Sequence, residues 1–379
     1  MGLRRLRRVG LLVWKELIEL RQDPRLFGVV IVAPIVQLLM LGYAATTDIR
    51  NVPVVIADAD RSPGSRALIE RFTASRSFVV VDIVTAADDI DPYLERGRAW
   101  MALAIPAGYG DAIAAGRAQV LQVVADGSDA NSANIGLGYA TSLVAGYAQQ
   151  LAAARAKALD LPPPPGVEPR VRIWFNSRLE SRDFMIPGIL ALLLLLVTTN
   201  LSSMGIVREK EVGTLEQLNV TPLRRWELIV GKLLPYALVG MIDVLLVLPV
   251  AILWFQIPLR GSALLLIAMT LVYLLTTLGL GLFVSTISST QQQAMMSTMF
   301  FFLMPMMYLS GFVFPIENMP AVIQPITYLI PLRYYLVILR SIFLKGVGLE
   351  TLWPEALALL AWGVGILALA IARSTKRAA

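Results

Sequence analysis

VREKEVGTLEQLNVTPLRRWELIVGKLLPY, residues 207–236, is a short polar island between two strongly apolar stretches. Val212, Leu215 and Leu218 recur at helical spacing among Glu209, Lys210, Glu211, Glu216 and Gln217, which predicts a charged helix in its first half. Thr221-Pro222 then carries the N-cap and first-turn signature of a second helix. A charged hairpin joined rigidly to an apolar helix on each side can push on a soluble partner or be pushed by one.

Outward from this island the chain has the composition of a membrane protein. Of its 379 residues, 56% are hydrophobic and only 16% charged. It contains neither Cys nor His. That removes disulfides, Cys/His zinc sites, thiol nucleophiles and imidazole bases, and leaves any acid–base chemistry to carboxylates, Lys and Tyr. The formal charge of +6 comes from basic residues flanking apolar runs, which suits anionic membrane lipid and not nucleic acid. No GxxxxGK[ST] phosphate loop occurs; Gly231-Lys232 lacks both the upstream glycine and the hydroxyl. The chain is therefore expected to bind no cofactor of its own and not to hydrolyse ATP.

Residues 1–25 read as a basic amphipathic helix in the cytoplasmic interface. Leu3, Leu6, Val9, Val13, Leu17 and Leu20 line one face, and Arg4, Arg8, Lys15 and Glu19 the other. Residues 26–45 form an apolar run of about 20 residues, long enough for a first crossing, and no clean cleavage site follows. Residues 46–182 change to an α/β pattern. Strands are expected at Val52–Asp58, Ser77–Val84, Ala99–Ile105 and Gln119–Ala125, with Val171–Phe175 as a candidate returning strand. The intervening helices start at Ser62-Pro63, Asp88, Tyr109 and Asn131, which predicts a largely parallel or mixed sheet. Residues 183–379 hold five further expected spans, 184–207, 228–255, 263–287, 294–314 and 355–372, with an outer re-entrant segment at 315–354. Basic flanks place both termini and the hairpin at 208–220 in the cytoplasm, and 46–182 outside it. The fold class is an α-helical polytopic membrane protein with six transmembrane helices and an inserted α/β extracytoplasmic domain.

REKEVGTLEQLNVTPLRRWELIVGKLLPY (208–236), DADRSPGSRALIERF (58–72), DGSDAN (126–131), LSGFVFPIENMP (309–320) and PLRYYLVILRSIFLKG (331–346) are spread over nearly the whole chain. In these motifs the chain resembles a permease of the type-2 ABC exporter family, in particular the bacterial subgroup with a large extracytoplasmic domain after the first helix. The resemblance implies an inner-membrane half-transporter, paired with a second copy or a related permease. Separate cytoplasmic ATPase subunits would carry the ATP and Mg, and a periplasmic adaptor could dock outside. It makes Glu209, Lys210, Glu211, Gly213, Thr214, Leu215, Glu216, Gln217 and Leu218 the coupling helix that seats on the ATPase. Charge chemistry alone leaves a merely solvated loop open as well.

Other residues carry weaker signals. Asp243 stands in mid-span and reads as a polar tie between helices, or as a proton relay or substrate contact. Met295, Met299, Phe302 and Met306 read as an adaptable apolar substrate lining, or as ordinary packing. Glu317 and Arg333 could pair as an outer gate. Asp58-x-Asp60 and Asp126-x-x-Asp129 lack calcium-loop spacing and read as turns, and Gly279-x-Gly281 and Gly363-x-Gly365 as weak helix-contact signals. Lipophilic compounds, drugs among them, are the expected cargo. An ion-coupled secondary transporter would need more intramembrane acids and repeat symmetry. A receptor with an outer sensing domain would need a cytoplasmic output domain.

Overall fold

A computed structural model of the chain describes residues 2–22, 28–44, 51–160, 174–176, 180–213 and 225–373. The chain divides into an α/β unit, Asp48–Val171, and a helical unit made of Met1–Thr47 and Arg172–Ala379. The helical unit opens with α1 (Gly2–Gln22) and continues, through a π-helical turn at Gly28–Val32, into α2 (Ala33–Ala44). On α1 the buried side centres on Leu12 and Glu16, flanked by half-buried Val9, Val13 and Leu17. Leu11, Trp14 and Ile18, at i, i+3 and i+7, instead form an exposed apolar stripe.

The strand–helix alternation folds as β1 (Val52–Asp58), α3 (Pro63–Ala74), β2 (Phe78–Val84), α4 (Asp91–Glu95), β3 (Met101–Ile105), α5 (Tyr109–Ala115), β4 (Gln122–Ala125) and α6 (Ala130–Ala158). The sheet order is β2-β1-β3-β4. β1 runs parallel to β2 and β3, while β4 returns antiparallel to β3, so the sheet is mixed. Val54, Ile56 and Leu103 pack on Leu68 and Phe72 of α3 and Ala140 of α6, and Val55, Ala57 and Ala102 pack with Ile90 on the other face. Both faces of β1 are therefore apolar, as expected of a central parallel strand. Trp174 and Asn176, in the candidate returning strand and just beyond it, are not in a strand, and residues 171–173 lie outside the described residues.

Ser62 caps α3 by accepting from the Ser65 N–H, with Pro63 in the first turn, as its sequence signature requires. Asp58 accepts the Asp60 and Arg61 amides at 3.1 and 2.9 Å and the Ser65 hydroxyl at 2.9 Å, which is turn chemistry. In open sheets of this order, the crevice beyond the carboxyl ends of β1 and β3 is the usual ligand position. Here Asp60 crosses it and accepts the Gly108 and Gly110 amides at 2.8 and 2.9 Å. A Cβ on Gly110 would lie 2.7 Å from the Ser62 Cβ. The chain closes its own crevice.

The helical unit resumes with α7 (Ser181–Val212), α8 (Arg225–Pro249, extended by a π turn at Val250–Trp254) and α9 (Ala263–Ile287). Then come α10 (Gln291–Ser297), a π turn (Thr298–Leu303), α11 (Met304–Leu309), α12 (Pro331–Arg340, with a π turn at Ser341–Lys345) and α13 (Leu349–Arg373). Four helices among the described residues are long and apolar enough to cross a membrane: α7, α8 with its π turn, α9 and α13. The first expected span corresponds to α2 with its π turn, which ends on both sides in residues outside the description. The fifth is the run α10–π–α11, continuous in sequence but interrupted in its helical geometry.

Lipid offers little hydrophobic drive between helices, so close approach and side-chain hydrogen bonds hold such bundles. On α7, Thr198 donates to Thr277 of α9 at 2.8 Å and Ser202 to the Leu278 carbonyl at 3.1 Å. A Cβ on Gly281 would meet the Thr199 carbonyl oxygen at 2.6 Å, and one on Gly279 would meet Ile366 of α13 at 2.8 Å. The Gly-x-Gly of α9 thus serves two neighbours. In the second pair only Gly363 makes a contact, against Thr276, while Gly365 has nothing within 4 Å. The ten residues of α12 extend about 15 Å, half of a ~30 Å hydrocarbon core. Its buried Tyr335 stacks on Tyr273 at 3.9 Å and shares a 2.8 Å hydrogen bond with Thr270.

Gly281→Val should cost about 1–3 kcal/mol by overpacking, lowering the denaturation midpoint of the detergent-solubilised chain, with Gly365→Val as the neutral control. In the α/β unit, hydrogen bonds from the Ser62 hydroxyl and then the Gly110 amide hold the Asp60 carboxyl below its ordinary value of 3.8. Its stabilisation is present above that value and is lost as pH falls through the lower, folded one. Asp60→Ala should accelerate hydrogen exchange at Gly108 and Gly110 at neutral pH; unchanged exchange there would remove the clasp from this account.

Candidate coupling site

The charged island does not open a separate helix at residue 209. α7 runs on through Val212, so Arg208–Val212 are the last turn of a membrane-length helix. Gly213 ends it in the left-handed region at φ +81°, where glycine carries no Cβ penalty. Thr214, Leu215, Glu216, Gln217 and Leu218, and the cap at Thr221-Pro222, lie outside the described residues.

Glu209, Lys210 and Glu211 of this turn reach different elements. Glu209 pairs with Lys15 of α1 at 3.6 Å and with Lys232 of α8. Its side chain is 12% exposed and that of Lys232 only 5%, so this pair is nearly desolvated. Lys15 also meets Glu16 at 3.3 Å. α1 and α8 come close enough for this because Gly231 has no side chain: a Cβ there would fall 2.5 Å from Leu12. Lys210 donates to the carbonyls of Ser285 and, at 3.3 Å, Ser288, at the carboxyl end of α9. Glu211 accepts the Gln291 backbone N–H at 2.9 Å and its side-chain amide at 2.5 Å, at the start of α10. A cation therefore faces a helix C-terminus and an anion a helix N-terminus, both favoured by the peptide dipoles.

This changes the expected docking surface. The side chains of Glu209, Lys210 and Glu211 are engaged within the chain, because the end of a packed helix turns them toward its neighbours. The partners Lys15, Lys232 and Gln291 carry no local signal of these contacts: Gln291 is 80 residues from Glu211, and Lys15 and Lys232 read only as basic residues flanking apolar runs. Between α9 and α10 the corner is itself tied, with Thr290 accepting from the Gln293 N–H at 3.1 Å and the Ser289 N–H donating to Gln293 Oε1 at 2.8 Å.

The residues read as a substrate path do not assemble into one surface. Met295 and Met299 are 45% and 46% exposed, Phe302 is half-buried against Phe283, and Met306 is buried. In an unbroken α-helix the four would share a face; the π turn at Thr298–Leu303 puts the later two roughly a quarter-turn out of phase. Asp243 is 2% exposed, and its Oδ1 has no hydrogen-bond partner among the described residues. Gly240, one turn earlier on the same side of α8, lies against Thr198 and Leu194 of α7 and Leu274 of α9.

The expected Glu317–Arg333 gate is not formed. Glu317 is exposed, while Arg333 donates to Thr327 and lies over the Tyr328 ring at 3.8 Å, since the first turn of α12 points it back along the preceding segment. A clasp in this region is made by Arg340, which sequence reading left without a role. It donates to the Gly311 carbonyl at 3.1 Å and the Phe184 carbonyl at 3.4 Å, and covers the Phe184 ring at 3.4 Å.

Glu209→Ala strands a buried ammonium and should destabilise the chain by about 3–5 kcal/mol. The double variant Glu209→Ala/Lys232→Met should lose less than Glu209→Ala alone, read as denaturation midpoints in a double-mutant cycle. Additive losses would mean the pair is not coupled.

Comparison with known proteins agrees with this architecture. The chain is 32% identical over 353 residues to "Probable multidrug ABC transporter permease YbhR" of Escherichia coli (strain K12), covering 93% of this chain and 94% of that one. It is 32% identical over 372 residues to "Probable multidrug ABC transporter permease YbhS" of the same organism, covering 98% and 97%. "Inner membrane transport permease YhhJ", also from that organism, is 28% identical over 381 residues, covering 99% and 98%. The family described as "ABC-2 family transporter protein" matches residues 25–372. The resemblance seen in the motifs thus holds over almost the full length, and the chain is a membrane protein that belongs to the ABC-2 family of transporters.

Proposed function

We propose that the chain is the membrane subunit of an ATP-driven exporter of lipophilic compounds, working as a dimer in the inner membrane and powered by a separate ATPase. The observation that carries this reading is the junction at the end of α7. A segment leaving Gly213 is rooted in a helix end that holds α1, α8, α9 and α10 together. A soluble partner pressing on residues 214–218 would therefore move the bundle and not a loose loop. ATP and Mg belong on that partner, because this chain has no phosphate loop. The relatives named as multidrug permeases support the cargo class.

In this reading α2 and the α10–π–α11 run complete six spans, both termini are cytoplasmic and the α/β unit lies outside, where it receives substrate or docks an adaptor. The exposed Leu11, Trp14 and Ile18 stripe of α1, with exposed Arg7 and Arg8 beside it, suits an interfacial helix on anionic lipid. The closed crevice in the α/β unit speaks against a small-molecule sensor at that position.

Docking is tested best beyond Gly213, since Glu209 and Glu211 hold the chain itself. Glu216→Lys combined with Gln217→Lys should abolish co-purification with the ATPase and ATP-dependent efflux of a lipophilic dye from proteoliposomes, at unchanged yield of folded permease. Association and efflux that both survive would sink the docking assignment.

A further inference from the structure

Lys210 and Glu211 hold the two sides of a single corner. Lys210 binds carbonyls that end α9, Glu211 binds the amide that starts α10, and only Ser288–Thr290 separate the two helices. The corner is stiff, through Thr290 and the Ser289–Gln293 hydrogen bond. Downstream of it run α10, the π turn and α11, whose exposed Met295, Met296, Met299, Phe300, Phe301 and Met304 make an apolar face. Upstream, Gly213 stands two residues from Glu211 and is the point at which the chain leaves α7.

We infer that Lys210 and Glu211 are positioning residues that carry displacement of the coupling segment to the α9–α10 corner, and so reorient the exposed Met/Phe face of residues 291–309. The inference rests on the transport reading above and adds where the displacement goes. Its physical basis is that both contacts are charge-assisted and matched in sign to the helix ends they hold. Two anchors on consecutive residues fix both the position and the rotation of the corner relative to α7. The π turn that follows is a local break in helical geometry where such a rotation can be absorbed or amplified. Glu209 does not share this role, because it ties α7 to α1 and α8 on the other side.

The absence of native cysteine makes the test direct. Phe301→Cys, at a residue 74% exposed, carries an environment-sensitive fluorophore on the face in question, in the full permease–ATPase complex in proteoliposomes. ATP with vanadate should change its signal. Glu211→Ala and Lys210→Ala should each cut that change, per bound ATPase, by roughly three- to thirtyfold, the span expected for coupling residues. The reciprocal exchange Glu211→Gln/Gln291→Glu keeps an acceptor for the Gln291-position amide and rebuilds the side-chain pair, so it should restore the response. A merely structural role would lower the amount of folded complex without changing the response per complex. If Glu211→Ala does not fold, Gln291→Ala removes the side-chain half of the clasp alone and should still reduce the response. A wild-type chain that binds no ATPase overturns the transport reading, and this inference with it. One that binds and drives hydrolysis with an unmoved label, or variants that respond like wild type, overturn this inference alone.

Discussion

A charged side chain at the end of a membrane-length helix loses water on the side that faces its neighbours, and its partners then decide which neighbours those are. In this chain that constraint acts on three consecutive residues. Successive positions on an α-helix point about 100° apart, so Glu209, Lys210 and Glu211 look toward three different quarters of the bundle. Each finds a group of opposite sign: the ammonium groups of Lys15 and Lys232, the carbonyls ending α9, and the amides starting α10. The Glu209–Lys232 pair is nearly desolvated, so neither of its members can be removed cheaply, whereas the Glu211–Gln291 contact stands at the exposed end of the helix. A charge cluster that resembles a solvated face in the sequence is engaged by contacts within the chain.

The interior of the bundle is held by a different means. Threonine, serine and glycine break the apolar seam between α7 and α9, where hydroxyl groups close hydrogen bonds across helices and glycines let backbones approach. Arg340 does the corresponding work at the opposite end of α7, joining its first turns to the turn at Gly311 and to α12. α7 is therefore fastened at both ends by charge and along its middle by small polar groups. Asp243 is enclosed on the neighbouring α8.

The α/β unit shows the same economy. Its sheet order creates the crevice in which proteins of this class often hold a ligand, and the loop after β1 supplies the carboxylate that fills it. Asp58 and Asp60 are therefore structural, each saturated by amide and hydroxyl donors within the loop or across it.

Periodicity and turn chemistry were enough to read the local elements. The strands of the α/β unit, the Ser62-Pro63 cap, the long apolar helices and the shortness of α12 all follow from residues close together in the chain, because local propensity and hydropathy act over a few turns. The family was legible as well, since its motifs are contiguous. What the sequence alone did not determine is where side chains point at the ends and breaks of helices. Residues 209–218 read as one charged helix containing Gly213, but α7 remains packed through Val212 and ends at Gly213, so Glu209 belongs to the membrane-length helix. Met306 leaves the face of Met295 through a π turn, Arg333 turns back to Tyr328, and Arg340 ties the turn at Gly311. Those outcomes rest on contacts between residues far apart in sequence, in which burial and hydrogen-bond geometry outweigh local pattern, and only the tertiary structure brings such residues together.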